Sequence, residues 1–202
     1  MFYDREDAAQ QLANRLKLYR HENAIILAVP RGGVPVGKIV SGSLGLPLDI
    51  ILTKKIGHPV NKEYAIGAVG LNDSYFTNAD DIVPSSYVEQ EVERVRSDLR
   101  DRYELYMGNK EPLKLHNKTV IIVDDGIATG STLLATIRLA RKKGAVKIII
   151  AAPVGPPQAV KRLKEAADEV VCLEMPADFN AVGQFYQHFD QVSDEKVRAL
   201  LK

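Results

Sequence analysis

Val120-Ile121-Ile122-Val123-Asp124-Asp125-Gly126-Ile127-Ala128-Thr129-Gly130-Ser131-Thr132 is the stretch on which the reading of the chain turns. Its first four residues are β-branched and apolar without alternation, the pattern of a strand buried on both faces of a parallel sheet. Two carboxylates stand where that strand ends. A loop of small and hydroxyl residues follows. Leu133, Leu134, Ile137 and Ala140 then recur at helical spacing, with Thr129, Ser131 and Thr132 as N-cap candidates. Strand, small-residue loop and helix start make an anion cradle, because the first-turn N–H groups lack partners and the helix dipole is positive there. The two acids would repel phosphate but accept hydrogen bonds from hydroxyls. The ligand that suits both halves is a phosphate beside a diol, as in a ribose 5-phosphate.

Ala24-Ile25-Ile26-Leu27-Ala28-Val29 is a second buried strand and ends in Pro30-Arg31-Gly32-Gly33-Val34-Pro35. Gly32 and Gly33 allow close backbone approach, so consecutive N–H groups can face an anion, and Arg31 adds a planar fork suited to phosphate oxygens. Ordinary turns use the same residues, so this pattern draws its meaning from the other anion loop. A helix through Val36, Ile39 and Val40 follows and breaks near Gly42 or Gly45. Pro47 to Leu52 is a third strand. The segment from Thr53 to Tyr64 is polar, basic and interrupted by Gly and Pro, hence a loop rather than core. Lys54 and Lys55 directly follow an apolar strand, which aims them at the same sheet edge as the two anion loops. His58 and Lys62 stand behind them.

The apolar strand, Asp124-Asp125 and the turn from Gly126 to Thr132 resemble the phosphoribosyl-pyrophosphate (PRPP) loop of type I phosphoribosyltransferases. The resemblance covers about residues 24–175. It implies an α/β fold: an open, mostly parallel sheet flanked by helices on both faces, with a small hood from an insert and the C-terminal end. One domain is expected over residues 1–202, its core at about 24–175 and its cover elements at about 1–20 and 175–202. The resemblance implies that Asp124 and Asp125 hold the ribose hydroxyls. Gly126, Ala128, Thr129, Gly130, Ser131 and Thr132 would wrap the 5′-phosphate. Arg31, Gly32 and Gly33, with Lys54, would take the pyrophosphate, in a loop that often contains a strained or cis peptide in this family. Lys54, Lys55 and Asp125 are the implied catalytic residues. Mg²⁺ is the implied cofactor, bridging substrate oxygens, with Asp124 and Asp125 reaching it through water. The implied reaction displaces pyrophosphate from C1′ of PRPP by a ring nitrogen of a small heterocyclic acceptor, as in nucleotide salvage. The resemblance also implies that the segment from Thr53 to Tyr64 is a mobile flap that closes over PRPP, and this flap does not cleanly match the adenine, orotate or hypoxanthine subfamilies. As a whole the chain is most similar to a bacterial group of predicted phosphoribosyltransferases of undefined acceptor. Two other readings of the same pocket are a PRPP- or nucleotide-sensing regulator and a phosphorolytic enzyme that cleaves a nucleotide-like N-glycosidic bond.

Bulk properties agree with a transferase of small molecules. The chain has 202 residues, 46% apolar and 26% charged, enough for one α/β core. A formal net charge of +1 gives no global electrostatic case for nucleic acid. No apolar run approaches membrane-spanning length and no signal-peptide pattern opens the chain, so a cytoplasmic protein without a membrane partner is expected. Cys172 lies in an apolar run and reads as a core thiol. Asp4 to Tyr19 is an amphipathic helix capped by Asp4 or Asp7. Tyr64 to Val69 is a strand, and Asp73 to Asn78 a short outer strand. From Ser86 to Met107 runs a charged helix with a narrow seam of Val88, Val92, Val95, Leu99 and Tyr106, suited to packing on an edge or on a partner subunit. A homodimer is expected. Val146 to Ala152 and Val170 to Leu173 are the remaining strands, and Ser193 caps a final helix. Phe179, Phe185, Tyr186 and Phe189 form an aromatic C-terminal segment that reads either as a stacking platform for a planar base or as plain core.

Overall fold

The computed structural model describes residues 1–61, 64–76 and 83–202. Lys62 and the Thr77-Asn78 end of the expected outer strand lie outside the described residues. In chain order the elements are α1 (Arg5–Arg15), β1 (Ala24–Ala28), α2 (Gly33–Leu44), β2 (Leu48–Ile50), β3 (Lys54–Gly57), β4 (Ala65–Val69), β5 (Ser74–Phe76), α3 (Ser85–Met107), β6 (Thr119–Val123), α4 (Ser131–Lys142), β7 (Lys147–Val154), α5 (Pro157–Lys164), β8 (Glu169–Glu174) and α6 (Asp194–Leu201).

Five strands form an open sheet in the order β2-β1-β6-β7-β8, and every neighbouring pair is parallel. The apolar runs lack alternation because helices cover both faces. Ile25, Leu27, Ile122 and Ile150 pack against α4 and α5 through Leu133, Ile137 and Val160. Their neighbours Ile26, Ile121 and Ile149 turn the other way, onto Leu12 and Leu16 of the first helical segment and Val36 and Val40 of α2. Ile121, Ile122, Ile149 and Ile150 are each 0% exposed. Burying each such side chain contributes roughly 1.5–3 kcal/mol, which makes β6 and β7 the spine of the molecule. Strand order reverses between β1 and β6, the place where open α/β sheets leave a crevice beyond the strands' carboxyl ends.

A second, antiparallel sheet, β3-β4-β5, stands beside the first. The loop expected from Thr53 to Tyr64 is corrected here: Lys54–Gly57 is a strand. Two lysines hide it, because only Ile56 supplies an apolar signal, and Ile56 is 1% exposed. The pairing partner β4 makes the strand, which is tertiary context overriding local composition. Across this sheet lies α3. Its seam of Val92, Val95, Leu99 and Tyr106, together with Tyr103, is buried against Ile56, Ile66 and Val69 and against Val197 and Leu201 of α6. The seam is therefore covered within the chain, and the homodimer expectation draws no support from it.

The helix ends follow their capping residues. Asp4 accepts from the N–H groups of Glu6 and Asp7 and starts α1, a cap that contributes about 1 kcal/mol. The helix stops at Arg15, and a 3₁₀ turn at Lys17–Tyr19 completes the expected segment. Ser193 caps α6 through Lys196 N–H. Among the described residues, no helix is long and apolar enough to cross a membrane.

Candidate active site

The Pro30-Arg31-Gly32-Gly33 turn and the Asp124-Asp125 loop follow adjacent parallel strands, so they emerge side by side. Ala28 is in register with Val123, and Val29 N–H donates to the Val123 carbonyl at 2.9 Å. The two loops then touch. A Cβ on Gly32 would lie 2.0 Å from Oδ2 of Asp125, and one on Gly33 would lie 2.6 Å from the Val123 carbonyl oxygen. Both glycines are thus required by close approach. The Pro30–Arg31 peptide is cis.

Asp124 is turned back on its own loop and accepts from Asp125 N–H at 2.9 Å. Enclosure at the sheet edge, and then the neighbouring Asp125 charge, push its carboxyl well above the usual carboxylate range. Asp125 draws its own partners from distant parts of the chain. Arg5 Nε donates to its Oδ2 at 2.8 Å, and Tyr186 Oη donates to its backbone carbonyl at 2.6 Å. The Arg5 guanidinium also lies 3.8 Å over the Phe189 ring, while its Nη1 donates to the Asp190 carbonyl at 2.8 Å. Sequence reasoning misses Arg5 because no local pattern marks it: it sits in a polar helix start, 120 residues from Asp125.

The loop after the acids is shaped by backbone. Gly126 lies under Val182, whose Cγ1 would be 2.3 Å from an added Cβ. Gly130 caps α4 with φ +73°, a left-handed conformation that favours glycine. The N-cap position falls to Gly130 and not to Thr129, Ser131 or Thr132. Thr129, one residue earlier, still reaches the helix start: its Oγ1 accepts from Ser131 N–H at 3.4 Å and lies 3.2 Å from the Ser131 hydroxyl. Beyond that bond, the start of α4 offers its first-turn N–H groups to an outside acceptor. Arg162 of α5 supports the loop by donating to the Thr129 carbonyl at 2.5 Å.

An open cleft of about 620 Å³ runs over this arrangement, lined by Arg31, Gly32, Asp124, Asp125, Thr132 and Phe189 among others. A second cleft of about 450 Å³ adjoins it, sharing Val29, Pro30 and Thr132, and contains Lys54. Lys54 pairs with Asp98 of α3 at 3.3 Å with both side chains half-exposed, and Arg31 pairs with Asp194 of α6 at 3.6 Å. Lys55 is next along β3, so strand alternation turns it to the opposite face. His58 accepts from Val60 N–H at 3.2 Å within the hairpin turn. The N-terminal segment pairs with the aromatic segment: Phe2 N–H donates to the Phe185 carbonyl and Gln187 N–H to the Phe2 carbonyl. Of the aromatic segment, Phe189 faces the cleft, while Phe185 stacks on Phe179.

Known proteins resemble this chain in sequence and fold. A family model described as the phosphoribosyl transferase domain matches residues 3–189. A Mycobacterium tuberculosis protein that bears the provisional name phosphoribosyl transferase is 42% identical over 206 residues, covering 100% of this chain and 46% of its own length. The chain thus spans about half the length of the curated relatives it matches. The crystal structure of TT1426 from Thermus thermophilus superposes with a TM-score of 0.90 at 40% identity, covering 99% of this chain and 97% of that one. A hypoxanthine-guanine phosphoribosyltransferase from Bacillus anthracis superposes at 0.51 with 13% identity, covering 86% and 79%, a likeness of fold alone. The match over residues 3–189, together with the two relatives at 40% identity or more, establishes that the chain belongs to the phosphoribosyl transferase domain family.

Proposed function

We propose that this chain transfers the 5-phosphoribosyl group of PRPP to a ring nitrogen of a nucleobase-like acceptor, releasing pyrophosphate, as in nucleotide salvage. The observation that carries the reading is the contact of the Gly32 turn with Asp125. In this reading the turn assigned to pyrophosphate lies against the acids assigned to the diol, with the start of α4 one loop away. No common structural requirement brings these three features together, and one ligand, PRPP, has groups for all of them.

In this reading Asp124 and Asp125 accept from the ribose hydroxyls, and the Gly126–Thr132 loop takes the 5′-phosphate on backbone N–H groups. Gly32 and Gly33 hold the pyrophosphate, with Arg31 and Lys54 at its charge. Lys54 leaves Asp98 easily, since an exposed ion pair contributes only about 0–1 kcal/mol. The C1′–O bond to pyrophosphate breaks, the C1′–N bond forms, and the protein contributes position and charge rather than covalent chemistry. Asp124 and Asp125 fit Mg²⁺, being hard oxygen donors at the cleft. An ion held by two carboxylates keeps waters and substrate oxygens as most of its ligands. When bound, Mg²⁺ supplies charge neutralisation on the pyrophosphate.

The test is PRPP- and Mg²⁺-dependent pyrophosphate release over a panel of purine, pyrimidine and pyridine acceptors. Release with one acceptor class, abolished in Asp124→Ala/Asp125→Ala, is the expected result. Release with no acceptor would overturn the transfer reading.

A further inference from the structure

Arg5 lies far from every motif of the chain, yet it is bound at the centre of the cleft. Its side chain and that of Asp125 are only 13% and 14% exposed, and they meet at 2.8 Å. Three surfaces fix the guanidinium: Asp125 Oδ2 on Nε, the Asp190 carbonyl on Nη1, and the Phe189 ring on its face. Only a planar fork satisfies all three, so lysine is no equivalent. On its other side Asp125 is pressed by Gly32, whose added Cβ would fall 2.0 Å from the same oxygen.

An anchoring role for α1 does not account for this pair. Ala8, Ala9, Leu12 and Leu16 are already fully buried, and the strand-like contact of Phe2 with Tyr186 fastens the chain before the helix. Partly buried ion pairs add little net stability in any case, because desolvation offsets the attraction. What the pair does change is the cleft. Two adjacent carboxylates repel a ligand that carries several phosphate charges. Arg5 sets a positive charge against Asp125 and consumes its Oδ2.

We propose that Arg5 is a positioning residue of the ribose site. It clamps Asp125 so that its remaining oxygen accepts a ribose hydroxyl, and it offsets the acid pair's charge toward an incoming phosphoribosyl anion. This inference rests on the reading given under Proposed function. It also gives the N-terminal segment a part in ligand binding, through a contact that spans 120 residues of sequence.

The experiment is equilibrium dialysis of labelled PRPP, without acceptor, against the unmutated chain and against Arg5→Gln, Arg5→Lys and Arg5→Ala, each checked for folding by circular dichroism. Arg5→Gln should weaken PRPP binding at least about tenfold, and Arg5→Lys less. Millimolar guanidinium ion should restore most of the loss in Arg5→Ala. Binding by folded Arg5→Gln equal to or tighter than that of the unmutated chain would overturn the proposal, making Arg5 a bystander or a competitor of the ligand. So would a loss of binding that neither lysine nor guanidinium relieves, since that is the mark of a purely structural role. If the unmutated chain itself fails to bind PRPP, the functional reading falls first and this inference with it.

Discussion

At the scale of single residues, the site depends on atoms that are missing as much as on those present. Gly32 leaves room for the Asp125 carboxylate, and Gly33 for the Val123 carbonyl. Gly32→Ala would force Asp125 or the whole turn aside. Overpacking of this kind costs about 1–3 kcal/mol, and PRPP affinity should fall at least about tenfold. A Gly32→Ala chain that melts and binds like the unmutated one would show that the two loops are not in contact. Cys172 makes the opposite case of a reactive group held inert. Burial pushes its thiol up to about 12, and Sγ lies 3.2 Å from the Glu174 carbonyl. The thiolate that alkylating reagents need is therefore scarce at a mildly alkaline pH of about 8. The folded chain should react with iodoacetamide far more slowly than the urea-unfolded chain, and equal rates would contradict the buried setting.

At the scale of elements, Asp49 shows how the edge strand β2 is locked to α3 and to the loop that follows it. It is buried in the middle of β2 and accepts from Tyr103 Oη of α3 at 2.9 Å, from Leu113 N–H at 2.8 Å and from Ile50 N–H at 2.7 Å. Asp49→Ala strands donors in the interior at about 1–3 kcal/mol each, so chemical denaturation should report a loss of about 2–5 kcal/mol. A loss under about 0.5 kcal/mol would mean that water replaces the carboxylate.

The elements also show what is legible in a sequence. The strands of the parallel sheet are legible because burial on two faces leaves continuous β-branched runs, as in Ile121-Ile122 and Ile149-Ile150. The acid pair and both glycine turns are legible because they are contiguous. Lys54–Gly57 is not, since a strand whose pairing partner supplies most of its stability needs little hydrophobic pattern of its own. Neither is the N-cap position of α4: the hydroxyl residues are the ordinary candidates, yet a left-handed Gly130 takes it, with Thr129 reaching Ser131 N–H from one residue before. Arg5, Tyr186 and Arg162 reach the site from α1, the C-terminal segment and α5. Local patterns cannot carry contacts made across so much of the chain.

At the scale of the whole molecule, stability is concentrated in the parallel sheet whose strands carry the acid pair, and less of it lies in the sheet that carries Lys54. The central strands β1, β6 and β7 are buried almost throughout, whereas β5 is only half-buried and β3 presents two exposed lysines. Amide hydrogen exchange should therefore be slowest in β6 and β7, at rates set by global unfolding, and faster in β3 and β5 by local opening. Uniform protection of both sheets would contradict this division. In the proposed reading, the rigid sheet edge holds the ribose-binding acids while the looser hairpin carries Lys54 toward the pyrophosphate. The central claim is that the Arg31–Gly33 turn and the Asp124–Thr132 loop together form one PRPP site. Isothermal titration calorimetry of PRPP with Mg²⁺ into the unmutated chain and into Asp124→Asn/Asp125→Asn tests it directly. One site per chain, lost in the double variant while its melting temperature stays within a few degrees, is the predicted result. Undiminished binding in the double variant, or no binding by the unmutated chain, would contradict it.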